Sequence, residues 1–179
     1  MPLAALSFAA CGDDPVSYSA PVGINVKVKS GDVAATAISE DKAITTETGN
    51  PYGGFVADAT AKLGHAPGRI EIDQATLLLG AQSINVTGLE DVFTGVVDIS
   101  FLMNDTNNTY AVGTVTNPSG VGPIDIAISL AGADMAPQDF AKYLGGGFKV
   151  VARGTAAPDF ASKGAEAQLQ LTFTFAAFP

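Results

Sequence analysis

The run Asn104-Asp105-Thr106-Asn107-Asn108, with Tyr110 just beyond it, is an unbroken series of oxygen-bearing side chains. Two kinds of chemistry follow from such a run. Crowded oxygens on one loop ligate Ca²⁺, which takes about six to eight of them. The same groups hydrogen-bond sugar hydroxyls, with the Tyr110 ring as a stacking surface. Asp105 is the one carboxylate present, so a calcium site here needs ligands from elsewhere in the chain. Asn and Asp also dominate hairpin loops, because they tolerate positive φ and cap their own backbone. Asn104, Asp105, Asn107, Asn108 and Tyr110 are therefore the candidate ligand-binding residues, and Ca²⁺ or a glycan the candidate ligand.

Other constellations are weaker. His65 is the lone histidine and follows a Gly/Pro turn signal in LGHAPG. With one Cys and one His, the common zinc ligand sets are excluded. A Ser-His-Asp triad would have to recruit His65, yet no GxSxG elbow occurs, and Ser119 lies in the loop PSGVG. The adjacent carboxylates Asp13-Asp14, Glu40-Asp41 and Glu90-Asp91 fall in a polar N-terminal stretch, a SEDK turn and a pre-strand turn. Acid–base work needs paired groups held in a site, and solvated turns do not hold them. The glycines at 145–147 come after a helical pattern and before a strand. A phosphate cradle needs the reverse order, strand, glycine loop, helix. No catalytic residues are expected, and no enzyme.

The elements that would position these residues are read from period-two alternation. It runs through PVGINVKVK (Val22, Ile24, Val26, Val28), VVDISFLM (Val97, Ile99, Phe101, Met103), NTYAVGTV, GPIDIAISL (Ile124, Ile126, Ile128, Leu130), GFKVVAR (Phe148, Val150, Ala152) and EAQLQLTFTF (Leu169, Leu171, Phe173, Phe175). RIEIDQATLLL alternates, then changes phase near Asp73-Gln74, which predicts a bulge. SGD at 30–32 predicts a hairpin into a weaker strand at 33–39, and NDTNN a hairpin loop between two strong strands. APQDFAKYLGGG and GGFVADATAKLG instead place apolar residues four apart: Phe140 and Leu144, then Phe55, Ala59 and Leu63. Each predicts a short helix closing an end of the molecule. One polar and one apolar face per strand predict a mainly β fold, an antiparallel β-sandwich of about eight strands with two short helices.

Composition narrows the partners. Nine Lys and Arg stand against 18 Asp and Glu, a net charge of −9, without a basic cluster. That sign repels phosphate backbones, so no nucleic-acid partner is expected. No apolar run reaches the ~18 residues of a membrane-spanning helix. Strands of this number would also fit a small outer-membrane β-barrel, and Phe178 sits next to the C-terminus as such a barrel's last strand would have it. Barrels, however, carry aromatic girdles at both interfaces, and this chain has no Trp and four Tyr.

The single cysteine lies in Phe8-Ala9-Ala10-Cys11, ahead of the polar, Pro-bearing GDDPVSYSAP. An apolar stretch ending in small residues is how a secretory leader ends. Phe8-Ala9-Ala10-Cys11 resembles the lipobox of bacterial lipoproteins, with Phe8 where leucine is commonest. The resemblance covers these residues and leaves the following domain unassigned. It implies cleavage between Ala10 and Cys11 and a diacylglycerol thioether on Cys11. Leaders normally run ~15–30 residues with a basic start, so Met1 is read as a truncated start. The expected organisation is a signal-peptide remnant at 1–10, a tether at 11–20 and one β-sandwich domain over 21–179. The expected location is the cell envelope, at the outer membrane or cell surface, membrane-anchored through Cys11. The leading expectation is a non-enzymatic structural or binding module with an envelope protein or glycan as partner. The alternative is a secreted or surface carbohydrate- or calcium-binding module using the 104–108 loop, and the small barrel comes third.

Overall fold

A computed structural model describes residues 16–44 and 50–179. The lipobox-like residues, Cys11 and Asp13-Asp14 lie outside the described residues. The fold is a mainly β sandwich of two antiparallel sheets. The first has the order β1-β9-β3-β6, and the second β2-β8-β4-β5-β7. Their ranges are β1 Tyr18–Lys29, β2 Ala37–Ile44, β3 Arg69–Leu79, β4 Phe93–Met103, β5 Thr109–Thr116, β6 Ile124–Asp125, β7 Ala127–Ile128, β8 Phe148–Ala156 and β9 Glu166–Phe178.

Alternation builds the core as expected. Val22, Ile24, Val26 and Val28 of β1 and Leu169, Leu171, Phe173 and Phe175 of β9 are all buried. They face Val97, Ile99, Phe101 and Met103 of β4 and Phe148, Val150 and Ala152 of β8, also buried. Each such large side chain contributes roughly 1.5–3 kcal/mol on leaving water, so a one-residue slip of any long strand would be heavily penalised. The phase change in β3 is a bulge: register against β9 shifts between Ile72 and Gln74.

Three expectations about the strands are corrected. Residues 30–32 form a 3₁₀ turn, not a hairpin, because β1 and β2 belong to different sheets. β2 itself starts at Ala37 and carries Glu40 and Asp41 on an exposed sheet edge, with Asp41 3.1 Å from Lys149. GPIDIAISL is not one strand: Ile124–Asp125 pairs with β3, then Ala127–Ile128 pairs with β5. This segment crosses from sheet to sheet and seals the middle of one flank. Gly113 permits the crossing, since a Cβ there would lie 2.4 Å from the Ala127 carbonyl oxygen.

The helices are α1, Pro51–Leu63, and α2, Pro137–Leu144. Asn50 Oδ1 accepts from the Tyr52 amide at 2.9 Å, Pro51 opens the first turn, and Gly64 closes α1 with φ of 81°. They do not close opposite ends. Both sit over the end where β1, β3, β5 and β8 begin, and the Tyr52 hydroxyl of α1 donates to the Tyr143 carbonyl of α2 at 2.7 Å. The face of α2 also differs from expectation. Asp139 and Tyr143 are the buried pair, while Phe140 and Leu144 are half-buried.

Candidate functional site

The hairpin between β4 and β5 carries the oxygen-rich run. Asp105 and Asn107 take positive φ, 66° and 56°, which explains why Asp and Asn stand there. The run then reaches into α2. Asp139 is fully buried. Its Oδ1 accepts from the Thr106 hydroxyl at 2.7 Å. Its Oδ2 accepts from the Asn108 amide at 2.7 Å and the Tyr110 hydroxyl at 2.8 Å. Tyr110 oxygen in turn accepts from the Ala136 amide at 3.1 Å, and Asp105 is ion-paired with Lys142. The Asn108 hydrogen bond foremost, then those of Thr106 and Tyr110 and the Lys142 charge, hold the Asp139 carboxyl below its ordinary range against the opposing effect of desolvation.

Sequence reasoning thus found Asp105, Asn108 and Tyr110 of this network by type but missed Asp139, Lys142 and Thr106 as partners. An acid in a helix's first turn reads as a dipole-stabilising residue, and nothing local says that it faces inward. Asn104 hydrogen-bonds through its backbone amide to the Gly147 carbonyl at 3.0 Å, while Asp105 is 85% exposed. A Ca²⁺ ion would have to take Asp139 from three donors and Asp105 from Lys142. Among the described residues no three His, Cys, Asp or Glu side chains converge on one point. The residues present therefore fit a clamp fixing α2 to the hairpin better than a calcium cage.

The other sequence candidates sit apart from one another. His65 is exposed, its Nδ1 2.9 Å from the Ala66 carbonyl. Glu90 accepts from the Gly120 amide at 2.6 Å, and Asp91 accepts from the amide and hydroxyl of Thr87 at 2.8 and 2.9 Å. Hydrogen bonds from Thr87 foremost keep Asp91 below its ordinary range, as expected of a turn-capping carboxylate.

Beside α2 lies a cleft of about 710 Å³. Its walls are residues 68–72 at the start of β3, the segment 130–133 with Met135 and Pro137, and Phe140 and Tyr143 of α2. The cleft exists because β3 is incompletely covered. β9 pairs with it along its length, but β6 reaches it only at Thr76 and Leu77. Ile70, Ile72, Leu130, Met135 and Phe140 make the walls apolar, and the Arg69–Glu71 ion pair stands among them on exposed positions of β3. The Arg69 guanidinium also lies 4.0 Å above the Phe178 ring centre.

One wall residue stands out chemically. Tyr143 is 1% exposed, and its hydroxyl has no hydrogen-bond partner. Its ring is fixed by Phe101, Phe148 and Tyr52, with centroids 5.5 to 6.4 Å away. Burial, and then the charge of Glu71 on β3, push its ionisation well above the ordinary range. It is a neutral, desolvated hydrogen-bonding group beside an apolar space. Neither a family model, nor a curated protein, nor a solved structure matches the chain.

Proposed function

We propose that the protein is a lipid-anchored, non-enzymatic binding module of the bacterial cell envelope, tethered through Cys11 and holding its ligand in the cleft between β3 and α2. The cleft itself, about 710 Å³ with mostly apolar walls, is the observation that carries this reading. Small-molecule sites are mostly apolar spaces of roughly 300–1,000 Å³ with a few placed polar groups, and this one has that composition. The charge arrangement favours binding over catalysis. Glu71 is the carboxylate on the cleft wall, and it is paired with Arg69. Asp139 faces the hairpin and is saturated with donors. A general base must be held within reach of a substrate proton; Asp139 is buried, and Glu71 stands on an exposed position of β3 beside Arg69. The anchor rests on the lipobox-like Phe8-Ala9-Ala10-Cys11, since several acyl chains hold a protein at a bilayer stably.

Two measurements test this reading. The gene, with its upstream codons, is expressed in a bacterium and the cells are fractionated. The protein should enter the membrane fraction with acyl mass on Cys11, and Cys11→Ser should release it. Soluble protein with an unmodified thiol would refute the anchor. Methyl NMR of the full chain against a set of neutral fragments should shift Ile70, Ile72 and Leu130 together. Unchanged cleft methyls would refute the binding module.

A further inference from the structure

We propose that Glu40 and Lys42 keep the open flank of the sandwich from pairing, strand to strand, with a second copy of the chain. The two flanks are built differently. On one, the segment 124–128 crosses from β3 to β5 and joins the sheets. On the other, β1 and β2 are the outermost strands of their sheets. The Ala156 amide donates to the Thr36 carbonyl, and the β2–β8 register runs on without a shift, so the even-numbered residues of β2 turn their backbone to β8. The amides and carbonyls of Ser39, Asp41 and Ala43 therefore point outward, and among the described residues they meet no partner. Such a row is a template for another strand. On β1 the Ser30 amide donates to the Ala165 carbonyl, so the odd-numbered residues face outward. Pro21 there has no amide hydrogen, and the Lys29 amide is taken by Asp32 Oδ2 at 3.0 Å. β2 has no such block in its backbone, and its side chains supply one. Ile38 and Ile44 point to the core at 0% and 2% exposure, and Glu40 and Lys42 fall between them on the same face. Lys42 stands with Gly23, Ile24 and Asn25 of β1 around a gap of about 200 Å³. Glu40 is half-buried. Desolvation foremost, then the charges of Asp32 and Asp41, raise its ionisation against the pull of Lys29. A strand added beside β2 would take both charges further from water. Among the described residues neither forms an ion pair that would offset that cost.

The test compares the full chain, expressed from Met1, with two double variants by sedimentation velocity over a concentration series and by amide exchange. Glu40→Val with Lys42→Val completes the apolar face of β2. It should associate as concentration rises, and exchange at Ser39, Asp41 and Ala43 should slow by at least about tenfold as those amides find partners. Glu40→Lys with Lys42→Glu keeps two inward charges, so it should stay monomeric like the parent chain. If the valine pair does not refold, Lys42→Val alone carries the same expectation with a smaller dimer fraction. A valine variant that stays monomeric would overturn the proposal. So would association that leaves exchange at Ser39, Asp41 and Ala43 unchanged, since the contact would then lie elsewhere. A parent chain that already protects those three amides, and loses the protection on dilution, would show that the edge is an interface and not a guarded one.

Discussion

Tyr143→Phe and Tyr52→Phe remove the same atom from the same aromatic cluster, and they should move stability in opposite directions. Both rings are essentially inaccessible, at 1% and 0% exposure, and both variants keep the ring contacts. At position 143 the lost hydroxyl has no partner. Removing a buried unsatisfied polar group returns about 1–3 kcal/mol, while the void left is smaller than a methyl group and costs less than about 1 kcal/mol. The net gain is therefore up to about 3 kcal/mol, centred on about 1.5 kcal/mol, and at about 2–4 °C per kcal/mol for a chain this size Tm should rise by about 3–6 °C at that centre. At position 52 the hydroxyl donates to the Tyr143 carbonyl at 2.7 Å. That carbonyl also accepts from the Gly146 amide at 3.2 Å, so it is not orphaned by the change. Only the net worth of one hydrogen bond is lost, about 0.5–1.5 kcal/mol, and Tm should fall by about 1–6 °C. Calorimetry and urea unfolding at neutral pH, with unchanged m-values, give the comparison. If both variants fall together, the Tyr143 hydroxyl has a partner, such as a buried water, and the reasoning that it is an unsatisfied buried group is refuted.

Asp139→Asn should lower Tm at neutral pH and flatten the loss of stability in acid. The folded carboxyl is held below its ordinary value near 3.9, so its contribution is present above about pH 4 and disappears as pH falls through the folded value; an unchanged acid profile would show that the clamp is not its source. Gly113→Ala should destabilise by about 1–3 kcal/mol through its clash with β7 and speed amide exchange at Ile126 and Ser129, whereas Gly54→Ala, with open space on α1, should stabilise by about 0.5–1 kcal/mol. Comparable effects of the two glycine changes would contradict the close approach at β7. Millimolar Ca²⁺ should leave Tm unchanged; a rise abolished by Asp105→Ala and Asn107→Ala would return the hairpin to the role of an ion site.

What the sequence reveals here follows from the range of the interactions. The long strands were legible because their inward residues repeat every second position against one continuous core, as in β9 from Leu169 to Phe175. The same regularity hid the sheet switch at 124–128. Both sheets turn their apolar faces toward one core, so alternation continues unbroken through Ile124, Ile126 and Ile128 while the hydrogen-bond partner changes from β3 to β5. β2 was misplaced because an edge strand buries few side chains, here Ile38 and Ile44, and leaves little periodic signal. In the site, residue type pointed to the 104–108 hairpin, but the acceptor that organises it lies some thirty residues on. The unpartnered hydroxyl of Tyr143 is a property of packing alone, and no local pattern encodes it.

The position of α2 connects the two halves of the site. Asp139 and Tyr143 are one helical turn apart and are the buried pair of this helix. Asp139 fastens α2 to the hairpin of the second sheet through three donors, and Tyr143 and Phe140 then face β3 of the first sheet across the cleft. The clamp takes no part in lining the cleft, yet it helps to fix the helix that forms one wall. This arrangement keeps the strongest local charge out of the apolar space while using it to hold the helix at a fixed height. A helix docked by apolar contacts alone would have been free to settle onto Ile70 and Ile72 and close the gap, because filling an apolar void is favourable. The polar clamp resists that collapse, since settling would break hydrogen bonds to a buried carboxylate. The clamp and the Tyr52 hydrogen bond to the Tyr143 carbonyl together hold α2 in place, so that any shift of the helix would strain both.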